Sequence, residues 1–476
     1  MILVSTTALF GQTSSSIQGQ VIDEETQQAI IGANVIIEGT NRGSATDLDG
    51  NFYIDQVEVG TYRLRVDYIG YASRIISDVV VKNNRPAVIN IEMQETILEL
   101  EAAVVVAEYF TKSPDTPTST QVQSSEEIRR LPGGFEDVVR AISILPGVAQ
   151  VDGGRNDLIV RGGAPSENLY IVDNIEVPNI NHFGTQGASG GPQSFINLDF
   201  VEETSFSTGG FNAKYGDRLS SVLDISLREG LSDQLASKTT ISASQFGFNL
   251  EGALPQDGNF IFSARRSYLD FLFKAAGFGF VPEYWDFLGK ATYDINQTDK
   301  LTVLGIAALN NVKWFNDTQE QKNSNSQILG SDQQQLVAGI NYRHLMQSGI
   351  FSTSLSQVNV DYDFSQRDAN LNPIFTNVSH DRQTALKSDL TWRVNRGIRL
   401  STGMKLNRVD FYSDLVLNQN DLPGGSALSI AQEYSKVGWK SGAYAQLSQR
   451  FFRFSYTAGL RADHSTFLEA APVVSP

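Results

Sequence analysis

The sequence predicts a mainly β protein made of three parts: a small β-sandwich, an α+β domain and an antiparallel sheet that crosses a membrane. Short apolar runs separated by turn residues fill residues 17–94, as they do in β-sandwiches. Residues 131–219 combine one apolar pattern of helical spacing with short strands and paired glycines. Residues 220–476 alternate apolar and polar positions over long segments, which is the pattern of membrane-spanning β-strands.

Composition narrows the possible classes of function. The 476 residues are 41% hydrophobic and 19% charged, which excludes a wholly disordered chain. The net charge of −16 argues against a nucleic-acid partner, because phosphate binding needs a basic surface; acidity that keeps the chain soluble is the plainer interpretation. There is no cysteine, so neither disulfides nor thiol chemistry is expected. No apolar run reaches the ~18 residues of a transmembrane helix.

The N-terminal segment, residues 1–16, is similar to the second half of a secretory signal peptide. Its apolar run ends in small residues before Gln12, but neither Lys nor Arg precedes it. We interpret it as a partial signal peptide whose start is missing. A flexible leader with no targeting role is the alternative.

Residues 17–94 supply the strands and turns of the sandwich. The segment 62–68 alternates cleanly, and Asp49-Gly50 favours a type I′ hairpin turn before Phe52. The same pair could belong to a calcium loop, but the EF-hand pattern requires an Asp where Ala45 stands. The hairpin is therefore the favoured prediction.

The order of the sandwich motifs resembles the carboxypeptidase-regulatory-like domain, a seven-stranded prealbumin-like sandwich. The resemblance implies no peptidase activity, because the zinc-binding pattern His-Glu-x-x-His is absent. The motifs that carry it are Gly19-Gln-Val, Gly32-Ala-Asn-Val, Thr46-Asp-Leu-Asp-Gly-Asn-Phe52, Gly60-Thr-Tyr and Gly70-Tyr71.

Residues 95–130 are predicted to be a linker. The stretch 112–120 is rich in Pro, Ser and Thr, which favours an extended and mobile chain. A β-branched run ahead of it would present an unpaired strand edge, to which a partner could add a strand with little sequence demand. A last strand of the sandwich is the alternative. The run consists of Ala103, Val104, Val105, Val106 and Ala107.

Residues 131–219 carry the most informative motifs. The segment 136–145 has helical spacing and ends at Pro146-Gly147, while 158–160, 169–172 and 200–207 indicate short strands. The order of the motifs resembles the plug domain of TonB-dependent outer-membrane receptors of the Bacteroidetes type. These motifs are Leu131-Pro-Gly-Gly, Ile159-Val-Arg161-Gly162-Gly163, Leu169-Tyr-Ile-Val and Gly209-Gly-Phe-Asn-Ala-Lys-Tyr215-Gly216-Asp217.

The resemblance assigns roles to several residues. It implies that the run 103–107 is the TonB box, the segment that the periplasmic end of TonB grips. Arg161, Gly162 and Gly163 would lie near the contact between plug and barrel, where Arg161 could reach a carboxylate. A tight turn with a solvent-facing Arg is the alternative. Tyr215 and Gly216 would mark the exit from the plug. The Gly-rich loop 179–193 would face the ligand with His182, Phe183 and Gln186.

Beyond Ser220 the alternating segments predict a partial transmembrane antiparallel β-barrel, beginning with residues 221–228. We count about ten strands near the ~9–11 residues that a tilted crossing needs, against about 22 strands in plugged transporters. The sequence is therefore expected to stop about halfway round the barrel. Either it is a fragment of a longer protein, or the barrel interpretation is wrong.

The sequence shows no constellation that indicates catalysis. The four His, at positions 182, 344, 380 and 464, share no metal-ligand spacing. Neither a nucleophile elbow nor a phosphate-binding Gly-rich loop occurs in its required context. We therefore predict no catalytic residue, no metal and no cofactor.

The resemblance implies a receptor of the cell outer membrane that imports a scarce nutrient by energised rearrangement of its plug. A siderophore, cobalamin, an oligosaccharide or a peptide would fit. The absence of a Val-Val-Gly-Tyr-Gly run before the plug slightly disfavours glycans. The implied partners are the periplasmic domain of TonB, outer-membrane lipid and a small nutrient ligand, which a surface lipoprotein could help to bind. Two alternatives are a surface binding protein or adhesin without transport, and an incomplete gene product.

Overall fold

The computed structural model describes the greater part of the chain, which folds as two compact units. No helix among the described residues has both the length and the apolar character that crossing a membrane would require. The candidate TonB box, residues 103–107, lies outside the described residues. The described residues are 14–24, 26–82, 86–95, 119–134, 136–151, 154–187, 190–242, 245–268, 273, 276–395, 397–419, 428–451, 454–467 and 470–475.

The first unit contains the N-terminal β-sandwich, and its fold class is confirmed. One sheet has the order β4-β1-β7, in which β1 and β7 run parallel, and the other has the order β3-β2-β5-β6. Alternate apolar side chains such as Ile17, Val35 and Leu64 fill the core. The strands are β1 (Ser14–Asp23), β2 (Asn34–Ile37), β3 (Gly43–Ala45), β4 (Asn51–Glu58), β5 (Gly60–Asp67), β6 (Arg74–Val81) and β7 (Ala87–Met93).

The hairpin predicted at Asp49-Gly50 is wrong. The turn is present, with φ of 76° at Gly50, but β3 pairs with β2 and β4 pairs with β1. The turn therefore carries the chain from one sheet to the other. Asp47 closes it, because its Oδ1 accepts hydrogen bonds from the backbone N–H groups of Asp49 (3.0 Å) and Asn51 (2.8 Å).

The plug in the second unit is an α+β domain. A five-stranded sheet has the order β12-β11-β14-β13-β8, and β9 and β10 form a separate pair. Two short helices and two 3₁₀ turns connect the strands. The elements are β8 (Thr120–Ser124), α1 (Ser125–Arg130), α2 (Val138–Ser143), β9 (Val148–Gln150), β10 (Leu158–Val160), β11 (Asn168–Val172), β12 (Ile175–Val177), β13 (Val201–Ser207) and β14 (Ser221–Leu227).

Local capping explains where the two plug helices begin. Ser124 and Glu127 form a capping box before α1, with each side chain accepting from the backbone N–H of the other. Asp137 caps α2 by accepting from the N–H groups of Val139 and Arg140. Helix α2 lies within the predicted segment 136–145. Strand β8 and helix α1 occupy residues that we predicted to belong to the linker.

Strand β14 corrects the predicted start of the barrel, because residues 221–227 belong to the plug. The strand runs parallel to β11 and antiparallel to β13. Its Val222 lies buried on one face of the sheet, and Leu223 and Ile225 lie buried on the other. Strands that are covered on both faces carry apolar residues on both. The prediction treated this segment as an alternating membrane strand and overlooked that possibility.

Twelve described strands form one antiparallel sheet in which each strand pairs with its neighbours in sequence. The longest has 24 residues, well beyond the ~9–11 of a membrane crossing, so strands of this length project past the bilayer. The elements are β15 (Ala236–Ile241), β16 (Gln245–Leu254), β17 (Gly258–Ser267), β18 (Phe280–Asp294), β19 (Asp299–Trp314), α3 (Gln319–Asn325), β20 (Gly330–Met346), β21 (Gly349–Arg367), β22 (Pro373–Asn395), β23 (Ile398–Gln419), β24 (Leu428–Phe451), β25 (Phe454–Ser465) and β26 (Ala470–Ser475).

The two faces of this sheet differ in their surroundings. One face carries Leu288, Leu304 and Val337, which are buried against the plug; we call it the inner wall. The opposite face exposes large apolar side chains to the medium, as a lipid-facing surface does. Among them are Phe262, Trp285, Val303, Leu336, Ile340, Leu355, Met404 and Trp439.

Candidate functional site

The candidate site is the contact between the plug and the inner wall. Plug residues Ile175, Val177 and Ile180 belong to the same buried apolar cluster as wall residues of β17 to β21. At Gly339 of β20 the contact is so close that a Cβ atom would lie 2.1 Å from Cδ1 of Ile175. The plug therefore packs directly on this part of the wall.

His182 is held inside this contact. Its Nε2 lies 3.1 Å from Oδ2 of Asp286 on β18, and its Nδ1 lies 2.6 Å from Oδ1 of Asn310 on β19. Its ring stacks on Tyr284, with 4.0 Å between ring centroids, and it is 1% exposed. The ligand-facing role predicted for His182 does not fit this arrangement, because both ring nitrogens bind the wall.

Asp286 links His182 to a second basic group. Its other oxygen, Oδ1, accepts a 2.8 Å hydrogen bond from Nε of Arg265 on β17. The three side chains are almost fully buried, so the charges of Asp286 and Arg265 each need the other in place. This network fixes the base of the loop 179–193 against three strands of the wall.

Phe183 and Gln186 lie farther along the same loop. Phe183 has a positive φ of 51°, and it bends the loop after His182. Gln186 is half-buried, and its Oε1 accepts a 2.9 Å hydrogen bond from Asn377 on β22. Asn377 in turn accepts from the hydroxyl of Ser413 on β23. Of the three predicted residues, His182 and Gln186 both form hydrogen bonds to the wall, and Gln186 is the less buried of these two.

Arg161, Gly162 and Gly163 form a tight turn. Arg161 and Gly162 have φ of 50° and 84°, and Arg161 is exposed. No carboxylate in the described part of the chain pairs with the Arg161 side chain. Gly163 packs so closely that a Cβ would lie 1.6 Å from Oγ of Ser220, which donates to Glu167. The geometry matches the alternative interpretation, a turn with a solvent-facing Arg.

Tyr215 and Gly216 lie against a later part of the wall. A Cβ at Gly216 would lie 2.1 Å from Nε of Arg461 on β25. Arg461 donates through Nη1 to the backbone oxygens of Ala213 (3.2 Å) and Lys214 (3.1 Å). Arg461 therefore helps to tie the plug's last motif to the wall.

The Tyr215 hydroxyl faces a buried acid. It donates a 3.4 Å hydrogen bond to Oδ2 of Asp224 on β14. Burial raises the pKa of Asp224, and burial together with Asp224 raises the pKa of Tyr215 well above 10.0. The hydroxyl thus keeps its proton and can serve as a donor at any physiological pH.

Five ion pairs between the plug and the wall have the same arrangement of charges. In each, the carboxylate belongs to the segment 173–229 and the lysine ammonium group belongs to the wall, so the pattern is not a random mixture of charges. Among the described pairs, Arg228 with Glu251 has the reverse polarity, and so has the contact of His182 with Asp286. The five pairs are Asp173–Lys290 (2.8 Å), Glu176–Lys405, Asp199–Lys238 (2.6 Å), Asp217–Lys440 (2.8 Å) and Glu229–Lys300 (2.6 Å).

The lysines hold their plug partners ionised. Burial raises the pKa of Glu176, but Lys405 outweighs it and keeps the pKa below its ordinary 4.5. Burial also opposes ionisation of Asp199, yet Lys238 and Arg129 lower its pKa to about 2. Among the described residues, no group of three or more His, Asp or Glu could hold a metal ion.

Three segments of the chain match known families. Residues 17–105 match the CarboxypepD_reg-like domain, 112–221 the TonB-dependent Receptor Plug Domain, and 309–469 the Outer membrane protein beta-barrel family. The chain belongs to the TonB-dependent receptors. This receptor is located in the cell outer membrane.

Curated relatives agree with this family. The receptor is 27% identical over 236 residues to the TonB-dependent transporter Oar of Myxococcus xanthus, covering 47% of this chain and 21% of that protein. It is 24% identical over 227 residues to the TonB-dependent receptor SusC of Bacteroides thetaiotaomicron, covering 46% and 21%. The matched region thus spans about a fifth of the length of each relative.

Solved structures show the same fold. A mutant of the ferric enterobactin receptor PfeA from Pseudomonas aeruginosa superposes with a TM-score of 0.55 at 16% identity, covering 75% of this chain and 58% of that one. The copper transporter OprC gives a TM-score of 0.55 at 14% identity, covering 74% and 56%. At these identities the likeness concerns the fold alone.

Sequence reasoning missed the wall lysines. Lys238, Lys405 and Lys440 lie within residues 220–476, where barrel strands were predicted, but alternation shows only which residues share a face. It does not show which plug carboxylate lies opposite each of them. The sequence signal for these lysines is that each is a charged residue at an inward position of a membrane strand. Such a residue is ordinarily explained as facing the water inside the barrel.

Proposed function

We propose that this receptor imports a scarce small nutrient across the outer membrane by TonB-driven rearrangement of its plug. The observation that carries the proposal is the plug–wall contact, in which close apolar packing and five ion pairs of one polarity hold a separate domain against the wall. Such a contact keeps the plug seated at rest. Non-covalent pairs of this kind can also be separated by an applied force and re-formed.

The proposed energy source is the inner-membrane proton gradient, delivered through the periplasmic domain of TonB. We propose Ala103–Ala107 as the TonB box, because a β-branched run ahead of the plug suits strand addition. The other partners are outer-membrane lipid and the nutrient ligand, which a surface lipoprotein could help to capture. We propose no nucleic-acid partner and no catalytic step.

The proposed ligand class is a siderophore, cobalamin, an oligosaccharide or a peptide. Among the proteins with a similar fold, one is named for ferric enterobactin and another for copper. We propose Gln186 and Thr185 as the ligand-facing part of the loop, because Gln186 lies where the loop meets β22 and neither residue is enclosed as His182 is.

Crosslinking to TonB tests the proposal. Single cysteines at Val104, Val105 or Val106 are introduced into the receptor in membranes that also contain TonB. A crosslink to the periplasmic domain of TonB, strengthened by a bound nutrient, is expected. The matched control is a cysteine at Ser113, which lies in the same predicted linker but outside the candidate box.

A surface binding protein or adhesin is the second candidate. It would need no free strand ahead of the plug. If inserted, surface-exposed receptor gives no crosslink from any of the three positions, active import is refuted and the adhesin is favoured.

A further inference from the structure

The face of the sheet opposite the inner wall, which we call the outer face, carries an exposed arginine, Arg266 of β17. On β18, Asp286 and Lys290 contact the plug. The alternate residues Trp285 and Phe287 therefore point away from it, to the outer face. Arg266 lies directly opposite Trp285 in the strand register, so the two side chains share that face.

The lengths of the connections show which end of these strands is extracellular. Strands β16 and β17 are joined by residues 255–257, and β18 and β19 are joined by 295–298. The connections at the other end, 268–279 and 315–329, are much longer. Outer-membrane barrels have short periplasmic turns and longer extracellular loops. Arg266, which lies close to the first of the long connections, is therefore near the extracellular end of β17.

Two rows of residues enclose an apolar band on the outer face. Every outward position between the two rows on β17 to β20 carries an apolar residue. The upper row, paired strand by strand, consists of Phe246, Arg266, Trp285, Leu309 and Gln334. The lower row consists of Tyr293, Leu301 and Tyr342. The band between them consists of Phe260, Phe262, Ala264, Phe287, Gly289, Ala291, Val303, Gly305, Ala307, Leu336, Ala338 and Ile340.

The height of this band is close to that of the lipid-facing band of an outer-membrane barrel. Trp285 precedes Tyr293 by eight residues, which is ~26 Å along a strand that rises ~3.3 Å per residue. With a strand tilt of about 40°, the two rows are about 20 Å apart in height, against about 25 Å for the apolar band of such barrels. Trp285 and Tyr293 occupy the places of the two aromatic girdles. Arg266 therefore lies at the height of the head groups in the outer leaflet.

Trp285 holds the guanidinium group of Arg266 beside the sheet. Cζ of Arg266 lies 5.2 Å from the centroid of the Trp285 ring, which stacks on Phe287 with 5.8 Å between centroids. The described ion pairs on β17 and β19 involve Arg265 and Lys313, but none of them involves Arg266. Its charge is therefore available to an anionic group of a lipid at the same height.

The polar groups beside Arg266 indicate the kind of lipid. A planar guanidinium can donate two parallel hydrogen bonds to a phosphate group. The exposed amides of Gln334 on β20 and Asn311 on β19 lie at and just above the upper row. Arg266 and Gln334 are three strand spacings apart, which is about 14 Å at ~4.8 Å per spacing. A head group that carries phosphate and hydroxyl groups over this width is that of a phosphorylated glycolipid.

We propose that Arg266 binds the phosphate group of lipid A, the phosphorylated glycolipid of the outer leaflet. Trp285 positions the guanidinium group, and the amides of Asn311 and Gln334 form hydrogen bonds with the sugar hydroxyls. The acyl chains of the lipid lie on the apolar band below. The site is independent of the proposed import, because it lies on the face of the sheet that points away from the plug.

Native mass spectrometry of the full receptor, purified in detergent, tests the site. The receptor is titrated with bisphosphorylated lipid A, with the same lipid after removal of its phosphates, and with phosphatidylglycerol. Arg266→Gln removes the charge, and Arg266→Lys keeps the charge but loses the planar fork of donors. Lys313→Gln is the matched control, because Lys313 is also an outward-facing cation near this end but is paired with Glu283 at 3.0 Å.

The wild-type receptor is expected to bind bisphosphorylated lipid A several-fold more tightly than either of the other two probes. Arg266→Gln should lose this preference, yet it should bind the dephosphorylated lipid as the wild type does, because that lipid has no phosphate for the arginine to bind. Arg266→Lys should fall between the two, and Lys313→Gln should match the wild type.

Three results would overturn the proposal. Equal binding of lipid A with and without its phosphates by the wild-type receptor refutes the site, and this comparison needs no variant to assemble. An equal loss in Arg266→Gln and Lys313→Gln would show attraction by overall charge in place of a site. A loss of phosphatidylglycerol in Arg266→Gln as large as the loss of lipid A would assign the arginine to ordinary phospholipids.

Discussion

At the scale of single residues, the plug depends on glycines where two segments meet without space for a side chain. Gly163 is such a position, because its missing Cβ leaves room for Ser220. The sequence marks Arg161-Gly162-Gly163 as a motif, but it does not reveal that the last glycine packs against residue 220. Contacts of this kind join residues far apart in sequence and become visible only in the folded chain.

Gly163→Ala is expected to destabilise the plug by about 1–3 kcal/mol, the usual cost of overpacking. This loss of stability is measured by unfolding the purified receptor in detergent, with the plug's resistance to protease as the readout. Ser220→Gly in the same chain should restore most of the loss by removing the clashing hydroxyl. Gly305→Ala is the control, since a Cβ there meets nothing within 4 Å. An unrescued double variant would contradict this explanation.

Asp199 provides a test of the ion pairs. Its pKa is lowered from 3.8 to about 2, which corresponds to about 2 kcal/mol of stabilisation at neutral pH. Because the folded-state pKa is the lower one, the stabilisation is present above pH 3.8 and is lost as the pH falls through about 2. We therefore expect Asp199→Asn to lower the free energy of unfolding by about this amount at pH 7.

The difference in the free energy of unfolding between wild-type and Asp199→Asn receptors should become smaller as the pH falls from 4 towards 2. Denaturant titrations at pH 7, 4 and 3 measure it. Asp233→Asn, at another acidic position that no described ion pair involves, should change little at any of these values. An equal loss for Asp199→Asn at every pH would show that packing, and not charge, is responsible.

At the scale of elements, the spacing of apolar residues and the positions of turn residues predicted most strands. They assigned some strands to the wrong domain or the wrong partner. Helix α2 and strands β10, β11 and β13 lie where apolar spacing indicated them. Strand β14 was assigned to the barrel because its pattern does not reveal that both faces are covered. The turn at Asp49-Gly50 was identified, but turn chemistry alone does not say which strands pair on either side of it.

Helix α1 carries a local signal that was available in the sequence. Ser124 and Glu127 are spaced as a capping box, and the structure uses them as one. Ser124→Ala is expected to cost about 1 kcal/mol and to speed amide exchange in residues 125–130. Hydrogen exchange with mass spectrometry measures this, and Ser125→Ala is the control because it makes no capping bond. Unchanged exchange would show that packing of Ile128 alone holds the helix.

At the scale of the whole molecule, the fold class followed from the sequence, whereas the seating of the plug did not. Alternation distinguishes the lipid-facing from the inner positions of each strand. Which inner positions meet the plug depends on how the sheet curves around it and on the register of its strands. The polarity of the ion pairs, with carboxylates on the plug and lysines on the wall, emerges only at this scale.

Removing the wall lysines together should loosen the closed state. Cells that produce the Lys238→Met, Lys405→Met, Lys440→Met triple variant are expected to become several-fold more sensitive to a large hydrophilic antibiotic such as vancomycin. The reason is that three plug carboxylates lose their wall lysines while the apolar packing remains. A double variant at Lys313 and Lys322 is the control, since Lys313 pairs with Glu283 of β18 and Lys322 lies on α3. Equal sensitivity of the two would contradict a sealing role.

The chain enters the plug through strand β8, which lies at the edge of the five-stranded sheet and, among the described strands, pairs with β13 alone. A pull applied ahead of Thr120 would therefore load a single ladder of five residues, and β13, β14, β11 and β12 would remain paired with one another. Under such a force, the edge strand β8 would detach first and the other four strands would remain paired. The plug could then unfold in steps and refold on those four strands.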